Sequence, residues 1–300
     1  MQNNNHIKNY DFCVIGAGKV GLTIASALSK HKFKFSIIAR SPASFKQASA
    51  IIDTNLIFKA IDQLFYIPRV FILSVRDSQI QEVAEYLAKI FKHELNNRII
   101  VHCSGILDTS VLDSCRNCNA IVGSIHPYQT FFSPDINLLD GISWGVQSDS
   151  DNQFLYDFIK YINGNPININ TTDKVLYHLS AVAVSNYLNS TLALGNLAAK
   201  NANIDLEQFA IPIIRQTVAN AFNTSPNNQF PLTGPIARAD LETIKTHINA
   251  IKNSTGLLLP YCYMGLATLE ITKSSAFYNP EFYSNARLLL LNAISEQMKH

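Results

Sequence analysis

From residue 10 to about residue 165, short apolar runs alternate with stretches of helical periodicity. Asp11 to Ile15, Phe35 to Ala39, Val70 to Val75, Ile99 to Cys103, Ala120 to Ile125 and Ile142 to Val146 are brief and nearly continuously apolar, as strands covered on both faces of a parallel sheet are. Val20 to Ser29 and Ser78 to Phe91 fall between them and carry one apolar face each. This alternation predicts an α/β, doubly wound, right-handed parallel sheet. After Pro166 the β-rich runs stop, and helical patterns occupy Asp173 to Asn201, Leu206 to Phe222, Arg238 to Ser254, Leu257 to Lys273 and Pro280 to Lys299. The expected organisation is therefore a flexible polar tail over 1–9, a sheet domain over 10–165 and an all-α C-terminal domain over 166–300, with Gly164 and Pro166 in the linker.

Composition narrows the function classes. With 24 basic and 22 acidic side chains in 300 residues, and no basic run, neither nucleic acid nor an anionic membrane surface is an expected partner. The longest weakly charged stretch, Gly256 to Leu269, is too short to span a bilayer, and the first residues have no apolar signal core, so a cytoplasmic location is the expectation. Five scattered cysteines are expected as thiols, and Cys115-Arg116-Asn117-Cys118 has no second pair with which to hold zinc, so no metal is expected.

The first strand runs directly into Gly16-Ala17-Gly18-Lys19-Val20-Gly21 and then into an apolar helix. Between a buried strand and a helix this spacing is a dinucleotide-binding turn. Gly16 makes the bend, Gly18 leaves room for a pyrophosphate, Gly21 lets helix and strand approach, and the N–H groups from Lys19 and Val20 face the anion. About 20 positions on, NAD-preferring sites place a carboxylate against the adenine ribose; here Arg40-Ser41 stand there and the next carboxylate is Asp53. A guanidinium and a hydroxyl suit a 2′-phosphate, so NADP is the expected cofactor ahead of NAD, although Arg40 as a plain surface charge remains open.

This arrangement resembles the superfamily of two-domain NAD(P)-dependent reductases that includes 6-phosphogluconate and 3-hydroxyisobutyrate dehydrogenases, ketopantoate reductase and pyrroline-5-carboxylate reductase. The segments VHCSG at 101–105, GSIHPYQTF at 123–131, YHLSAVAVSNYL at 177–188 and TGPIARAD at 233–240 resemble most closely a subfamily of oxidoreductases without assigned substrates, which join a Rossmann-like domain to a helical domain of unknown function. The resemblance implies a nicotinamide-binding fold and a homodimer formed through the helical domain. In the superfamily the first long helix of that domain supplies a lysine and, four residues later, an asparagine. With His178 read in the lysine's place, Val182 occupies the asparagine's, and the pair is missing.

In open α/β sheets ligands lie beyond the carboxyl ends of the strands, which here read Ser74-Val75-Arg76-Asp77, His102-Cys103-Ser104-Gly105 and His126-Pro127-Tyr128. Ser74, Val75, Ser104 and Gly105 are therefore expected beside the cofactor and His126 beside the reacting atoms, while turn and cap roles explain the same residues equally well. On the helix from Asp173, the polar residues Tyr177, His178, Ser185 and Asn186 interrupt an apolar sequence. The last three share a stripe at regular helical spacing, with His178 and Asn186 as catalytic candidates and Ser185 as a substrate contact. Thr233 and Gly234 are expected to open a helix whose first turn holds Arg238 and Asp240, a site for a substrate carboxylate. Two functions follow as expectations. One is an NADP-dependent oxidoreductase acting on a small carbonyl or imine substrate in a cleft between the domains; the other is a non-catalytic NADP-binding sensor or scaffold.

Overall fold

The computed structural model describes residues 4–148, 153–223, 231–274 and 278–299. Eight strands form one sheet: β1 (Asp11–Ile15), β2 (Lys34–Ile38), β3 (Ile57–Phe58), β4 (Val70–Leu73), β5 (Ile99–His102), β6 (Ile121–Pro127), β7 (Ser143–Ser148) and β8 (Asn165–Asn168). Their order across the sheet is β3-β2-β1-β4-β5-β6-β7-β8. The first six run parallel, as the continuous apolar runs require. β7 is antiparallel to β6, which corrects the expectation of a wholly parallel sheet, and β8 is parallel to β7. Residues 128–142 return the chain to the same end of the sheet without a crossover helix, so an antiparallel neighbour is the short connection.

Helices α1 (Lys19–Lys30), α2 (Pro42–Ser49), α3 (Asp77–Phe91), α4 (Asp113–Arg116) and α5 (Gln153–Tyr161) accompany the sheet. Alternate side chains of each strand feed two cores. Phe12 and Val14 of β1 join Leu22 and Ile24 of α1 and Phe158 of α5 on one face, while Cys13 and Ile15 join Ile80, Ala84 and Leu87 of α3 on the other. The polar first residues are not a frayed tail throughout. Asn4–Asn9 is a 3₁₀ turn that buries Ile7 completely in the first of these cores. One large apolar residue in a polar segment anchored by Tyr10 is enough to fix it.

Two compact units divide the chain between Ser185 and Asn186. The division expected at 165/166 falls inside β8, a polar strand whose sequence, Asn-Pro-Ile-Asn, carries no β signal and which is held by its pairing with β7. The first unit therefore also holds α6 (Lys174–Val182) and most of a π-helical segment, Ala183–Tyr187. The second holds α7 (Leu188–Asn201), α8 (Leu206–Asn223), α9 (Leu241–Ile251), α10 (Thr255–Thr272) and α11 (Pro280–Gln297). Its core is built by Ile244, Leu258, Cys262, Leu269, Ala286 and Leu290 from the last three helices. Truncating the anchor of the N-terminal turn, Ile7→Ala, is expected to destabilise the first unit by about 2–5 kcal/mol in urea unfolding; a loss near zero is the outcome that a frayed tail requires.

Candidate functional site

The turn after β1 has the geometry its glycines announced. Gly16 adopts φ +109°, and a β-carbon there would lie 2.5 Å from the Ser74 carbonyl oxygen. A β-carbon at Gly21 would fall 2.0 Å from the Gly16 carbonyl oxygen and 3.0 Å from Ser74 Oγ, so Ser74 shapes the cradle with both its backbone and its hydroxyl. Above Gly18 there is open space to 4 Å, and Gly18 caps α1 with no side chain on the free amides. An open, uncapped helix N-terminus fits a pyrophosphate. At the end of β2, Arg40 is exposed. Ser41 accepts from the Ser44 N–H at 3.1 Å while its own N–H donates to Ser44 Oγ, so its hydroxyl is engaged in capping α2.

A second cluster lies at the carboxyl ends of β5 and β6. His102 is fully buried. Its Nδ1 accepts from the Ser104 N–H at 3.1 Å, which leaves the ring proton on Nε2 to donate to the Asp108 carbonyl. Burial and the nearby Lys174 push its pKa down to about 3, so the ring is neutral. Ser104 Oγ accepts from the N–H groups of Ile106 and Leu107, and its carbonyl accepts from Lys174 Nζ at 3.0 Å. Gly105 then sits where no side chain fits. A β-carbon would meet His178 Cδ2 at 2.6 Å and His126 Nε2 at 2.8 Å.

The two imidazoles lie 6.1 Å apart between ring centres. The Tyr177 hydroxyl stands 2.9 Å from His126 Nδ1, which leaves Nε2 as the nitrogen turned to Gly105. Tyr177 can lie there because β7 offers Gly145, where a β-carbon would come within 2.7 Å of the phenol ring. Tyr128 packs against Tyr177 and bonds Ser180 Oγ at 2.9 Å. Burial, reinforced by His178 and Lys174, lowers His126 to about 4, whereas burial raises Tyr177 to about 12. Both are neutral at physiological pH. Among the described residues no group of three histidine, cysteine or carboxylate side chains converges as a metal site, and no helix is long and apolar enough to cross a membrane.

Residues 2–127 match the Rossmann-like domain family, and residues 142–268 match a domain of unknown function, DUF2520. The chain is a Rossmann-like/DUF2520 two-domain protein. Its fold is similar to that of a Bacteroides fragilis protein provisionally designated an NADP oxidoreductase (18% identity, 96% of this chain and 98% of the other, TM-score 0.70). It is also similar to protein TM1727 from Thermotoga maritima (21%, 88% and 100%, TM-score 0.67) and to pyrroline-5-carboxylate reductase from Coxiella burnetii (17%, 96% and 98%, TM-score 0.53). No curated protein matches it.

The first unit thus brings together His126, His178, Ser104 and Gly105, and separately Gly16, Gly18, Lys19, Val20, Gly21, Ser74 and Val75 around the glycine turn after β1. The stripe expected to join His178, Ser185 and Asn186 is interrupted, because the π-helical segment Ala183–Tyr187 interposes an extra residue and breaks the regular spacing. Asn186 begins the second unit. There Thr233 and Gly234 do not open a helix. Gly234, at φ +90°, and Ala239, at φ +54°, form a turn, and Asp240 caps α9 by accepting from the Thr243 N–H at 3.0 Å. Asp240 is thereby committed to the cap, and Arg238 lies exposed before the helix rather than in its first turn.

The residue that sequence reasoning missed is Lys174. Only 3% exposed, it donates to Ser104 O and, at 2.5 Å, to Ser124 Oγ. The signal was its spacing, since it stands four residues before His178, one helical turn away on the same face. Burial lowers its pKa from 10.5 to about 8. The unfolded chain binds that proton more tightly, which costs the fold about 3 kcal/mol below pH 8 and restores stability as pH rises from 8 toward 10.5. The melting temperature of the native protein should accordingly gain on that of Lys174→Met across this window; a constant difference between pH 7 and 10 would show an unperturbed lysine.

Proposed function

We propose that this protein is an NADP-dependent oxidoreductase that moves a hydride between the nicotinamide and a small carbonyl or imine compound in the cytoplasm. The observation that carries this reading is the convergence of His126 and His178 on Gly105 at the same carboxyl edge of the sheet that holds the open cradle above Gly18. The fold's likeness to an oxidoreductase by designation and to a named reductase supports it.

In this reading the amides of the Gly16 to Gly21 turn and the dipole of α1 hold the pyrophosphate, and Arg40 at the end of β2 pairs with the 2′-phosphate. The bound nicotinamide supplies or accepts the hydride. The protein's task is then to orient the substrate and to manage one proton. His178, an imidazole without the deep burial of His102, gives that proton to the substrate oxygen or nitrogen as the hydride arrives, and recovers it in the reverse direction. His126, neutral and tied to Tyr177, is a fixed hydrogen-bonding partner on the other side of Gly105.

Two outcomes test this. Against a panel of oxo acids and imines, His178→Gln should retain NADPH affinity and lose about 10²-fold in turnover. NADPH should bind more tightly than NADH by about tenfold or more, and Arg40→Ala should erase the difference. Binding of NADPH with no consumption by any member of the panel would favour the sensor reading instead.

We also propose that the protein works as a homodimer whose second copy covers α8. This helix leaves Phe209 (48%), Ile213 (67%) and Phe222 (80%) exposed, a run of large apolar side chains that a soluble helix does not ordinarily leave in water. Light scattering should give twice the chain mass for the native protein and the single-chain mass for Ile213→Asp; a native monomer would remove the proposal.

A further inference from the structure

Lys174 is a charged and buried residue of the site whose hydrogen-bonding partners are both neutral. As the first residue of α6 it reaches back across the carboxyl ends of β5 and β6, with Nζ 3.0 Å from the Ser104 carbonyl oxygen and 2.5 Å from Ser124 Oγ. At 3% exposure it has no surface to offer a ligand. The groups that face it from the packed elements are His102 and Cys103 at the end of β5, Asp108 in the following loop, Asp77 at the start of α3 and His126 at the end of β6. The Asp108 carboxylate is occupied by the Ser110 N–H at 2.9 Å.

We propose that Lys174 is a positioning residue: by bridging the Ser104 carbonyl and the Ser124 hydroxyl, its ammonium clamps the first turn of α6 to the strand ends and so sets Gly105, His126 and His178 in register at the nicotinamide end of the cofactor site. Three observations converge on this. The loop from 102 to 108 is stitched on every other side, by His102 to the Ser104 N–H and the Asp108 carbonyl and by Ser104 Oγ to two further amides. The Ser104 carbonyl accepts from the ammonium at 3.0 Å and from the Ser124 hydroxyl at 3.4 Å, and Ser124 Oγ itself accepts from the ammonium, so the three groups close on one another. Gly105, the next residue, lies so close to the two imidazoles that a β-carbon there would come within 2.6 Å of His178 Cδ2 and 2.8 Å of His126 Nε2, so a shift of any one of the three displaces the others. His178 stands one helical turn after Lys174 and Tyr177 three residues after it, so fixing the start of α6 sets the height and rotation of both.

Stability alone does not account for such a device. An ammonium buried against a carbonyl and a hydroxyl loses more in hydration than two hydrogen bonds return, and an apolar side chain of similar length would hold the same space at lower cost. What the charge adds is direction. A strong donor aimed at one carbonyl fixes the turn where packing would leave it free to shift.

The proposal rests on the oxidoreductase reading for the identity of the ligand, and the experiment separates the two. The native protein and Lys174→Met are compared by thermal melting, by the imidazole Cε1–H signals in NMR, and by affinity for NADPH and for 2′,5′-ADP, which lacks the nicotinamide half. The expected result at neutral pH is a melting temperature unchanged or raised, displaced or broadened signals for His126 and His178 with those of His31 and His247 unmoved, and a split in affinity. NADPH should weaken by about tenfold or more and 2′,5′-ADP by less than about twofold. Unmoved His126 and His178 signals overturn the proposal, as does an equal loss for both ligands. If the native protein binds neither ligand, the cofactor reading fails and the imidazole signals alone decide whether the clamp exists. Should Lys174→Met not fold, Ser124→Ala, which removes one of the two partners of the ammonium, takes its place with the same readouts; failure of both to fold would make the bridge a stabilising element and would equally overturn the proposal.

Discussion

A sheet packed with helices on both faces has only its ends to present to a ligand, and this constraint governs where the polar groups of the candidate site stand. Along β4 and β5 the side chains are apolar until the strand finishes, and polarity arrives with the last residue or the first two of the loop: Ser74, His102, Ser104. The same edge must admit close backbone approaches, and glycine appears wherever it does. Gly16 and Gly21 let the phosphate turn fold against Ser74, Gly105 receives two imidazoles, and Gly145 receives a phenol ring. None of the four tolerates a methyl group without a shift, so the edge is held by close packing as much as by hydrogen bonds.

The paired histidines illustrate how neighbouring groups divide labour through their surroundings. His102, deep below the turn, is locked into one tautomer by its two backbone partners and acts as scaffolding. His126, a strand away, keeps one nitrogen on Tyr177 and turns the other to the open side of Gly105. Identical side chains thus differ in how many of their ring nitrogens the fold has already engaged.

Six strands, the glycine turn after β1 and the helical character of the C-terminal half were legible because each rests on local pattern: continuous apolar runs, glycine spacing, 3.6-residue periodicity. What escaped depends on distant partners. β8 is a polar tetrapeptide that is a strand only because β7 lies beside it. The reversal of β7 follows from the absence of a crossover helix, which apolar runs do not report. Ile7 looked like part of a polar tail because one side chain carries no period. Lys174 reads as an ordinary solvated lysine until β5 and β6 are placed over it, and Asp240 displaced Thr233 as a cap because Gly234 and Ala239 turn the chain first. The π-helical segment at 183–187 likewise has no signature in a helical wheel, yet it decides which of Ser185 and Asn186 follow His178 around the helix.

The position of Pro166 has a consequence beyond the site. The N–H groups of Asn165 and Ile169 point inward to Ile142 and Val146 of the neighbouring segment, so the alternate position, 166, faces the open edge of the sheet. A proline there removes a donor from the side on which another molecule's strand would add. At the opposite edge β3 is only two residues long. An eight-stranded sheet with ample apolar surface is thereby left with no edge along which copies can join into a continuous ribbon, a guard against self-association through the sheet that is written in one imino acid and one truncated strand.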